Sequence, residues 1–274
     1  MSGPVVAKAE IQSAVRNLGL GGRAVCVHSS LRSFGWVDGG ADAVVDAFLD
    51  EGCTLMVPTF TYHFNVAPPP GDRPQHNGSL DYSAIHAADP SRHFTPESNE
   101  LSRADMGAIP GAMLGRNGRA RGNHPLNSFS ATGPLAGVLV GSQTATDVYA
   151  PLREIAGLGG SVVLMGVGLE SMTLIHYAEQ LAGRRLFIRW AMGPGGEVVR
   201  ARCGGCSNGF PSLDGVVAPV ERRVDVGNSL WRAYPVRDVL ELVSEAIRRE
   251  PGITHCGRDG CERCADAVLG GPEE

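Results

Sequence analysis

Apolar and polar residues follow two patterns along the chain. Continuous apolar runs, typical of buried strands, lie at 23–28, 53–58 and 161–165. Segments with one apolar face at helical spacing lie at 8–18, 41–49, 106–114, 172–182 and 236–249. The strand–helix–strand order over 23–58 predicts a parallel pair joined by a right-handed crossover. We therefore predict an α/β fold with a central mixed sheet flanked by helices.

Two further segments add to this pattern. Residues 186–191 and 197–203 are predicted to form antiparallel strands around the glycine-rich turn at 193–196. The segment 59–102 has little periodicity, and a loop of that length is usually a lid or a binding segment. A surface insertion with no direct role is the alternative. Because no internal repeat or low-complexity linker interrupts the sequence, we expect one domain over 1–274.

The stretch 166–185 carries the strongest chemical signal. Two glycines permit a turn after the preceding strand, and Ser171 or Thr173 is predicted to cap the next helix. His176 and Glu179 are three residues apart on that helix, so their side chains can meet. Because ligands of open α/β sheets bind beside the carboxyl ends of strands, this pair is a candidate base and carboxylate. A solvated pair on a surface helix is the alternative.

Composition narrows the classes of function. The 274 residues are 43% hydrophobic and 19% charged, with 37 glycines and 18 prolines, as in a globular protein with many tight loops. A formal net charge of −5 argues against nucleic-acid binding and favours a cationic small molecule. Met1–Glu10 has no apolar signal core, and no apolar run reaches the length of a membrane span. We expect a cytoplasmic protein without a membrane partner.

Two polar segments are candidate ligand-binding loops. Ser29–Gly35 follows the first predicted strand and is rich in hydroxyls and backbone donors that suit a phosphate or a thioester, although it lacks the Walker and dinucleotide fingerprints. Arg116, Arg119 and Arg121 precede His124, whose backbone the following proline holds extended. These arginines would suit a phosphate ligand, and a solvated basic loop is the alternative.

The seven cysteines include two CxxC pairs, Cys203 with Cys206 and Cys261 with Cys264. Two such pairs predict a structural zinc ion, because four thiolates complete a tetrahedral site. Cys256 is an alternative ligand, together with the second pair and one member of the first. Such an ion would clamp the tail at 251–267 and take no part in catalysis. Reduced cysteines packed as small hydrophobic residues are the alternative without metal.

Four separated segments resemble the aminoglycoside 3-N-acetyltransferase family, also called the antibiotic N-acetyltransferase family. They are VHSSLRSFGWVDGGADAVVDAF at 27–48, SRADMGAIPGAML with RARGNHPLNSFSATGPLA at 102–136, LMGVGLESMTLIHYAEQLAGRR at 164–185, and PGITHCGRDGCERCADA at 251–267. The resemblance extends from Lys8 to about Ala267, and the segments occur in the order expected for the family. Several motifs in this order identify the family more specifically than any single motif.

The resemblance implies a fold distinct from the GNAT acetyltransferases. It also implies transfer of an acetyl group from acetyl-CoA to the 3-amino group of a deoxystreptamine aminoglycoside, which confers antibiotic resistance. His176, oriented by Glu179, is then the expected general base, with His124 as a second candidate in the same cleft. The backbone N–H groups that open helix 172–182 are expected to stabilise the oxyanion. A biosynthetic N-acyltransferase for another amine and a non-catalytic antibiotic- or CoA-binding protein are the alternatives.

The expected ligand sites follow from this resemblance. Acetyl-CoA is expected to contact Ser29, Ser30, Leu31, Arg32, Ser33, Gly35, Arg103, Arg121, Ser128 and Thr173. The cationic acceptor is expected to contact Tyr62, Asp81, Glu97, Asp105 and Glu170, because carboxylates recognise ammonium groups. We expect the protein to act as a monomer or a homodimer.

Overall fold

Strands and helices alternate along the chain, as the sequence predicts. The computed structural model describes residues 5–78, 82–83 and 85–273. Its strands are β1 (Val5–Val6), β2 (Ala24–Ser29), β3 (Trp36–Val37), β4 (Thr54–Pro58), β5 (Asn65–Val66), β6 (Ala120–Arg121), β7 (Phe129–Thr132), β8 (Ser161–Met165), β9 (Phe187–Met192), β10 (Val198–Cys203), β11 (Arg222–Val226) and β12 (Ser229–Pro235). Its α-helices are α1 (Lys8–Asn17), α2 (Gly40–Asp50), α3 (Arg103–Met106), α4 (Ala108–Gly115), α5 (Ala136–Val140), α6 (Ala150–Gly157), α7 (Leu174–Leu181), α8 (Asp214–Val217), α9 (Val236–Arg249) and α10 (Glu262–Val268).

The central sheet has seven strands in the order β11-β12-β8-β2-β4-β7-β6. The three apolar runs form its middle strands β8, β2 and β4, which are parallel, and antiparallel pairs extend the sheet on both sides. Every residue of β4 and β8 is buried, as expected for parallel strands with both faces covered. The predicted parallel pair and the predicted α/β class with a mixed sheet are confirmed.

Alternate residues of the middle strands support two hydrophobic layers. Val25, Leu55 and Val163 point to one face, where they pack with α1, α2 and α4. Cys26 and Leu164 point to the other face, where they pack with α5, α6, α7 and α9. This period of two explains why short apolar runs recur between amphipathic helices in the sequence.

A second, antiparallel sheet consists of β10, β9 and β5. The predicted strand pair after α7 forms most of it, and the segment 59–102 packs on it through Phe64 and Phe94. Within 59–102, the described residues contain one 3-10 turn at Tyr62–Phe64 and the short strand β5. This segment therefore packs on the second sheet as a largely irregular layer.

Several elements lie outside the patterns used for prediction. The sequence patterns do not predict the β11–β12 hairpin, β6, β7, α5, α6 or α10. The edge strand Arg222–Val226 shows one reason, because it is short and alternates charged with apolar residues. The predicted side-chain cap of α7 is wrong: Thr173 occupies the cap position without a capping bond among the described residues. No described helix combines the length and apolar character needed to cross a bilayer.

Candidate active site

The start of α7 lies at the carboxyl end of β8, in the centre of the sheet. Gly166, which ends this strand, has φ of +65°, and an added Cβ would lie 1.9 Å from the Ser33 hydroxyl oxygen. Only glycine fits this turn, because it combines a left-handed backbone with no side chain. A 3-10 turn at Leu169–Ser171 then leads into α7. This connection places the first turns of α7 at the sheet edge where ligands of α/β proteins bind.

His176 and Glu179 meet on the first two turns of α7. Glu179 Oε2 lies 2.7 Å from His176 Nδ1, and the two residues retain only 9% and 7% of their exposure. The structure thus brings the predicted pair together in a buried setting, and the alternative of a solvated surface pair is wrong. With Nδ1 engaged by the carboxylate, Nε2 is the ring nitrogen available to a ligand.

The second oxygen of Glu179 is held by the C-terminal part of the chain. Arg184 pairs with Oε1, and the Thr254 hydroxyl donates to the same oxygen at 3.1 Å. Burial alone would raise the pKa of Glu179. The hydrogen bond and charge of His176, with the charge of Arg184, outweigh it and hold the pKa below its ordinary value. Glu179 is therefore ionised at neutral pH and can stabilise a protonated imidazole.

Part of the His176 ring is closely packed. The Phe210 ring meets the imidazole edge-on, with 4.7 Å between ring centroids. A Cβ added to Gly204 would lie 2.5 Å from the imidazole Cγ and 2.6 Å from the Tyr149 hydroxyl. Since Gly204 can approach the ring only because it lacks a side chain, the ring is fixed in orientation as well as in position.

A cavity of about 660 Å³ opens beside His176. Its size is within the range of small-molecule sites, about 300–1,000 Å³. The predicted site residues that line it are Ser29, Tyr62, Asp105, Glu170, Thr173, His176, Cys203 and Cys206. The cavity is thus lined by residues from the carboxyl ends of parallel strands, from the start of α7 and from the beginning of the segment 59–102.

The loop predicted to receive acetyl-CoA adjoins this cavity. Of its residues Ser29 lines the wall, and Leu31–Phe34 forms a 3-10 turn directly after it. The Ser33 hydroxyl donates to the Ser30 carbonyl oxygen at 2.7 Å and contacts the Ser229 hydroxyl, so it serves the turn itself. Leu31 is half-buried, whereas Arg32, Gly35 and Arg103 are exposed. Of these residues, only Arg32 and Arg103 present charges at the surface that suit phosphates.

Arg121 and Ser128 do not belong to a ligand site, contrary to the prediction. The Arg121 guanidinium donates to the backbone oxygens of Thr59, Ser98 and Glu100 at 2.8–2.9 Å and to the Ser128 hydroxyl at 3.0 Å. Ser128 in turn donates to the Thr59 carbonyl oxygen. Both side chains are buried and committed to fastening the segment 59–102 to the sheet.

His124 cannot serve as a second base, contrary to the prediction. It is fully buried and does not line the cavity. Its Nδ1 accepts the backbone N–H groups of Leu126 and Asn127, and Nε2 lies 3.0 Å from the Arg202 carbonyl oxygen. Burial lowers the pKa of His124 to about 4. The neutral ring, donating from Nε2, is a structural bridge between the 121–128 turn and β10.

The predicted acceptor residues separate into two groups. Asp105, Glu170 and Tyr62 line the cavity. Glu97 is exposed outside it, and its backbone oxygen accepts a hydrogen bond from Arg119. Asp81 lies outside the described residues. Two carboxylates therefore face the space beside His176.

Several cavity residues were missed by the sequence analysis. They are His28, Asn65, Tyr149, Arg189, Asn208 and Arg263. His28 lies near the carboxyl end of β2, a position that could have been read from the strand pattern, and burial lowers its pKa to about 4. Asn65 also lines the cavity, and its Oδ1 is buried without a hydrogen-bond partner among the described residues.

The cysteines pair differently from the prediction. The sulfur atoms of Cys206, Cys256, Cys261 and Cys264 lie within 4.8 Å of one another. Cys203 is not among them: it is the last residue of β10, opposite Phe187, and it is buried in the hydrophobic cluster of the second sheet, at the edge of the cavity. The alternative set that includes Cys256 is the one that the fold brings together.

Comparison with known proteins identifies the family of the chain. The family model for aminoglycoside 3-N-acetyltransferase matches residues 26–247, and the chain belongs to this family. Aminoglycoside N(3)-acetyltransferase VII of Streptomyces paromomycinus is 36% identical over 191 residues, covering 66% of this chain and 62% of that protein. Aminoglycoside N(3)-acetyltransferase IX of Micromonospora chalcea is 35% identical over 198 residues, covering 67% and 65%. The chain thus covers less than two thirds of the length of these relatives.

Solved structures share the fold over a larger part of the chain. The apoenzyme of aminoglycoside acetyltransferase AAC(3)-IVa superposes with a TM-score of 0.76 at 24% identity, over 98% of both chains. The same enzyme in complex with gentamicin gives 0.75 at 23% identity, over 98% and 99%. AAC-IIIb, solved as a binary complex with CoASH, gives 0.73 at 19% identity, over 90% and 97%. These neighbours confirm the predicted non-GNAT fold.

Proposed function

We propose that the protein transfers an acetyl group from acetyl-CoA to the 3-amino group of a deoxystreptamine aminoglycoside. The observation that carries this proposal is the buried His176–Glu179 pair, whose free ring edge adjoins a ligand-sized cavity. Family membership supports the reaction, and the gentamicin and CoASH complexes of similar proteins support the two ligand classes.

In the proposed reaction His176 Nε2 accepts a proton from the 3-ammonium group. The free amine attacks the thioester carbonyl carbon, a C–N bond forms, and the carbonyl π electrons move to oxygen. The oxyanion is stabilised by backbone N–H groups at the start of α7, directly after Met172 and Thr173, which line the cavity. When the intermediate collapses, the C–S bond breaks, the second proton lost by the nitrogen neutralises the departing CoA thiolate, and the His176 imidazolium releases the first proton to solvent. The products are CoA and the N-acetylated antibiotic.

The acceptor is expected to lie against Asp105, Glu170 and Asn65. The two carboxylates suit ammonium groups, and Asn65 lies in the same cavity lining. Acetyl-CoA is expected to reach His176 past Ser29, with its phosphates near Arg32 and Arg103. The thioester is then expected to lie between the ends of β2 and β4 and the start of α7.

A thiol-release assay tests the proposal directly. Protein is mixed with acetyl-CoA and a deoxystreptamine aminoglycoside, and free CoA is measured. NMR of the product identifies the acetylated nitrogen. CoA release that requires the aminoglycoside, with acetylation at the 3-amino group, supports the proposal. Acetylation of an unrelated amine only, or aminoglycoside binding without CoA release, would contradict it.

A further inference from the structure

The thiol groups of Cys206, Cys256, Cys261 and Cys264 form a compact cluster beside the candidate active site. Their sulfur atoms lie within 4.8 Å of one another. In a tetrahedral zinc site with Zn–S bonds of about 2.3 Å, the sulfur atoms are about 3.8 Å apart. We propose that these four cysteines bind one zinc ion, and that this ion holds the C-terminal segment and the turn after β10 against the His176–Glu179 pair.

The local backbone is arranged as in a metal-binding turn. Cys261 caps α10, and the Cys264 backbone N–H donates to its carbonyl oxygen at 3.0 Å, which turns both side chains to one side. The Cys256 backbone N–H points at the Cys264 sulfur, 3.4 Å away. Such N–H donors stabilise the negative charge of a thiolate. The fold therefore prepares the sulfur atoms for a cation.

These cysteines differ from the other three in the chain. Cys26, Cys53 and Cys203 are buried within the hydrophobic clusters, where a thiol acts as a small apolar group. None of the four clustered cysteines belongs to a described hydrophobic cluster, and three of them are partly exposed. Apolar packing thus explains the first group and leaves the second without a role.

The cluster joins two segments that each contact the catalytic pair. Gly204, two residues before Cys206, lies so close to the His176 ring that a Cβ would clash with it. Thr254, two residues before Cys256, donates its hydroxyl to Glu179 Oε1 at 3.1 Å. A metal bound by both segments would fix them relative to each other. The ion would thereby position the imidazole and the carboxylate without touching either.

Metal analysis tests the site itself. Protein purified under reducing conditions without added zinc is expected to contain about one zinc per chain. Cys206→Ser and Cys261→Ser are each expected to reduce the content to roughly a tenth or less. Cys203→Ser is the matched control, because it alters the same CxxC pair outside the cluster and is expected to keep the metal.

A second measurement avoids dependence on whether the serine variants fold. Zinc-depleted wild-type protein is titrated with Co²⁺, and a tetrahedral thiolate site is recognised by its intense visible d–d bands. Saturation at one equivalent supports the site. Absence of zinc and of these bands, a disulfide among the four cysteines, or equal zinc loss in Cys203→Ser would overturn it.

The coupling to the pair rests on the proposed function and needs its own readout. Histidine-labelled protein is compared by NMR with and without zinc, using His176→Gln to assign the His176 signals. We expect zinc removal to shift the His176 signals and to lower kcat/KM for the aminoglycoside. Unchanged His176 signals in a folded zinc-free protein would refute the coupling. Zinc-dependent signals without any acetylation would instead refute the proposed function alone.

Discussion

The start of α7 and the turn at 121–128 both bury a histidine among polar neighbours. At the start of α7, within the described part of the chain, only Nδ1 of His176 is engaged, by a carboxylate, and the ring borders a cavity. In the turn both ring nitrogens of His124 meet backbone groups, and the ring lies away from the cavity. The two regions show that the distribution of hydrogen-bond partners, more than residue type or burial, separates a candidate base from a structural residue.

The largest expected effect tests the first of these regions. His176→Ala should reduce kcat by about 10²–10⁴-fold, because the proposed proton acceptor is lost. The variant should remain folded at the assay temperature, with a lower melting temperature because the buried contact with Glu179 is lost. Near-normal turnover by a folded His176→Ala protein would show that the base lies elsewhere, and steady-state kinetics with circular dichroism distinguish these results.

Acid titration tests the second region. His28 and His124 each have a pKa of about 4 in the folded protein, against 6.5 when free, so the unfolded state binds more protons between these values. The free energy of unfolding should keep this contribution in full above pH 6.5. As the pH drops towards 4, it should fall by about 3 kcal/mol per histidine.

Denaturant unfolding at several pH values measures this dependence. His124→Gln should be less stable than wild type at pH 7 and should lose its share of the fall below pH 6.5. A fall of equal size in this variant would show that His124 is not responsible.

Arg121 extends the comparison to a charged residue. Arg121→Met should lower stability by about 1–3 kcal/mol, because backbone oxygens of the segment 59–102 lose a charged donor. The KM for acetyl-CoA should remain close to wild type, since the guanidinium does not line the cavity. Chemical denaturation and steady-state kinetics check both parts, and Arg103→Met serves as the comparison. A selective rise in KM for Arg121→Met would restore the phosphate assignment.

The smallest expected effects concern the acceptor carboxylates. Glu170→Gln and Asp105→Asn should each raise the KM for the aminoglycoside a few-fold, about 0.3–1 kcal/mol, because both are exposed and screened by salt. Glu97→Gln is the matched control outside the cavity and should leave this KM unchanged. The differences should shrink as ionic strength increases. Equal effects at all three positions would indicate a general field of the protein in place of specific contacts.

The local patterns predicted the core elements well and the site only in part. The central parallel strands and α9, Val236–Arg249, follow from apolar periodicity, because burial on a sheet or a helix face imposes that period. The pairing of His176 with Glu179 follows from the helix repeat alone. Each of these predictions depends on residues that are close together in the chain. Interactions over this range can be inferred from a single sequence.

The errors involve partners that are distant in the chain. Arg121 appeared to be a free cation because its acceptors, such as Thr59 and Ser98, lie 62 and 23 residues away. Cys203 appeared to belong to a CxxC knuckle, but at the end of β10 it is buried in the hydrophobic cluster of the second sheet. The position of Cys256 beside Cys206 depends on how the C-terminal segment folds back, which spacing does not determine.

The contact between Gly204 and His176 also constrains how the gene can change. One base substitution converts any glycine codon into an alanine codon, and here the new methyl carbon would lie 2.5 Å from the imidazole. Variants that widen the cavity should therefore be recoverable at neighbouring codons, such as that of Ser207, while an alanine at codon 204 should be lost. The backbone at this position limits the ways in which the shape of the cavity can change.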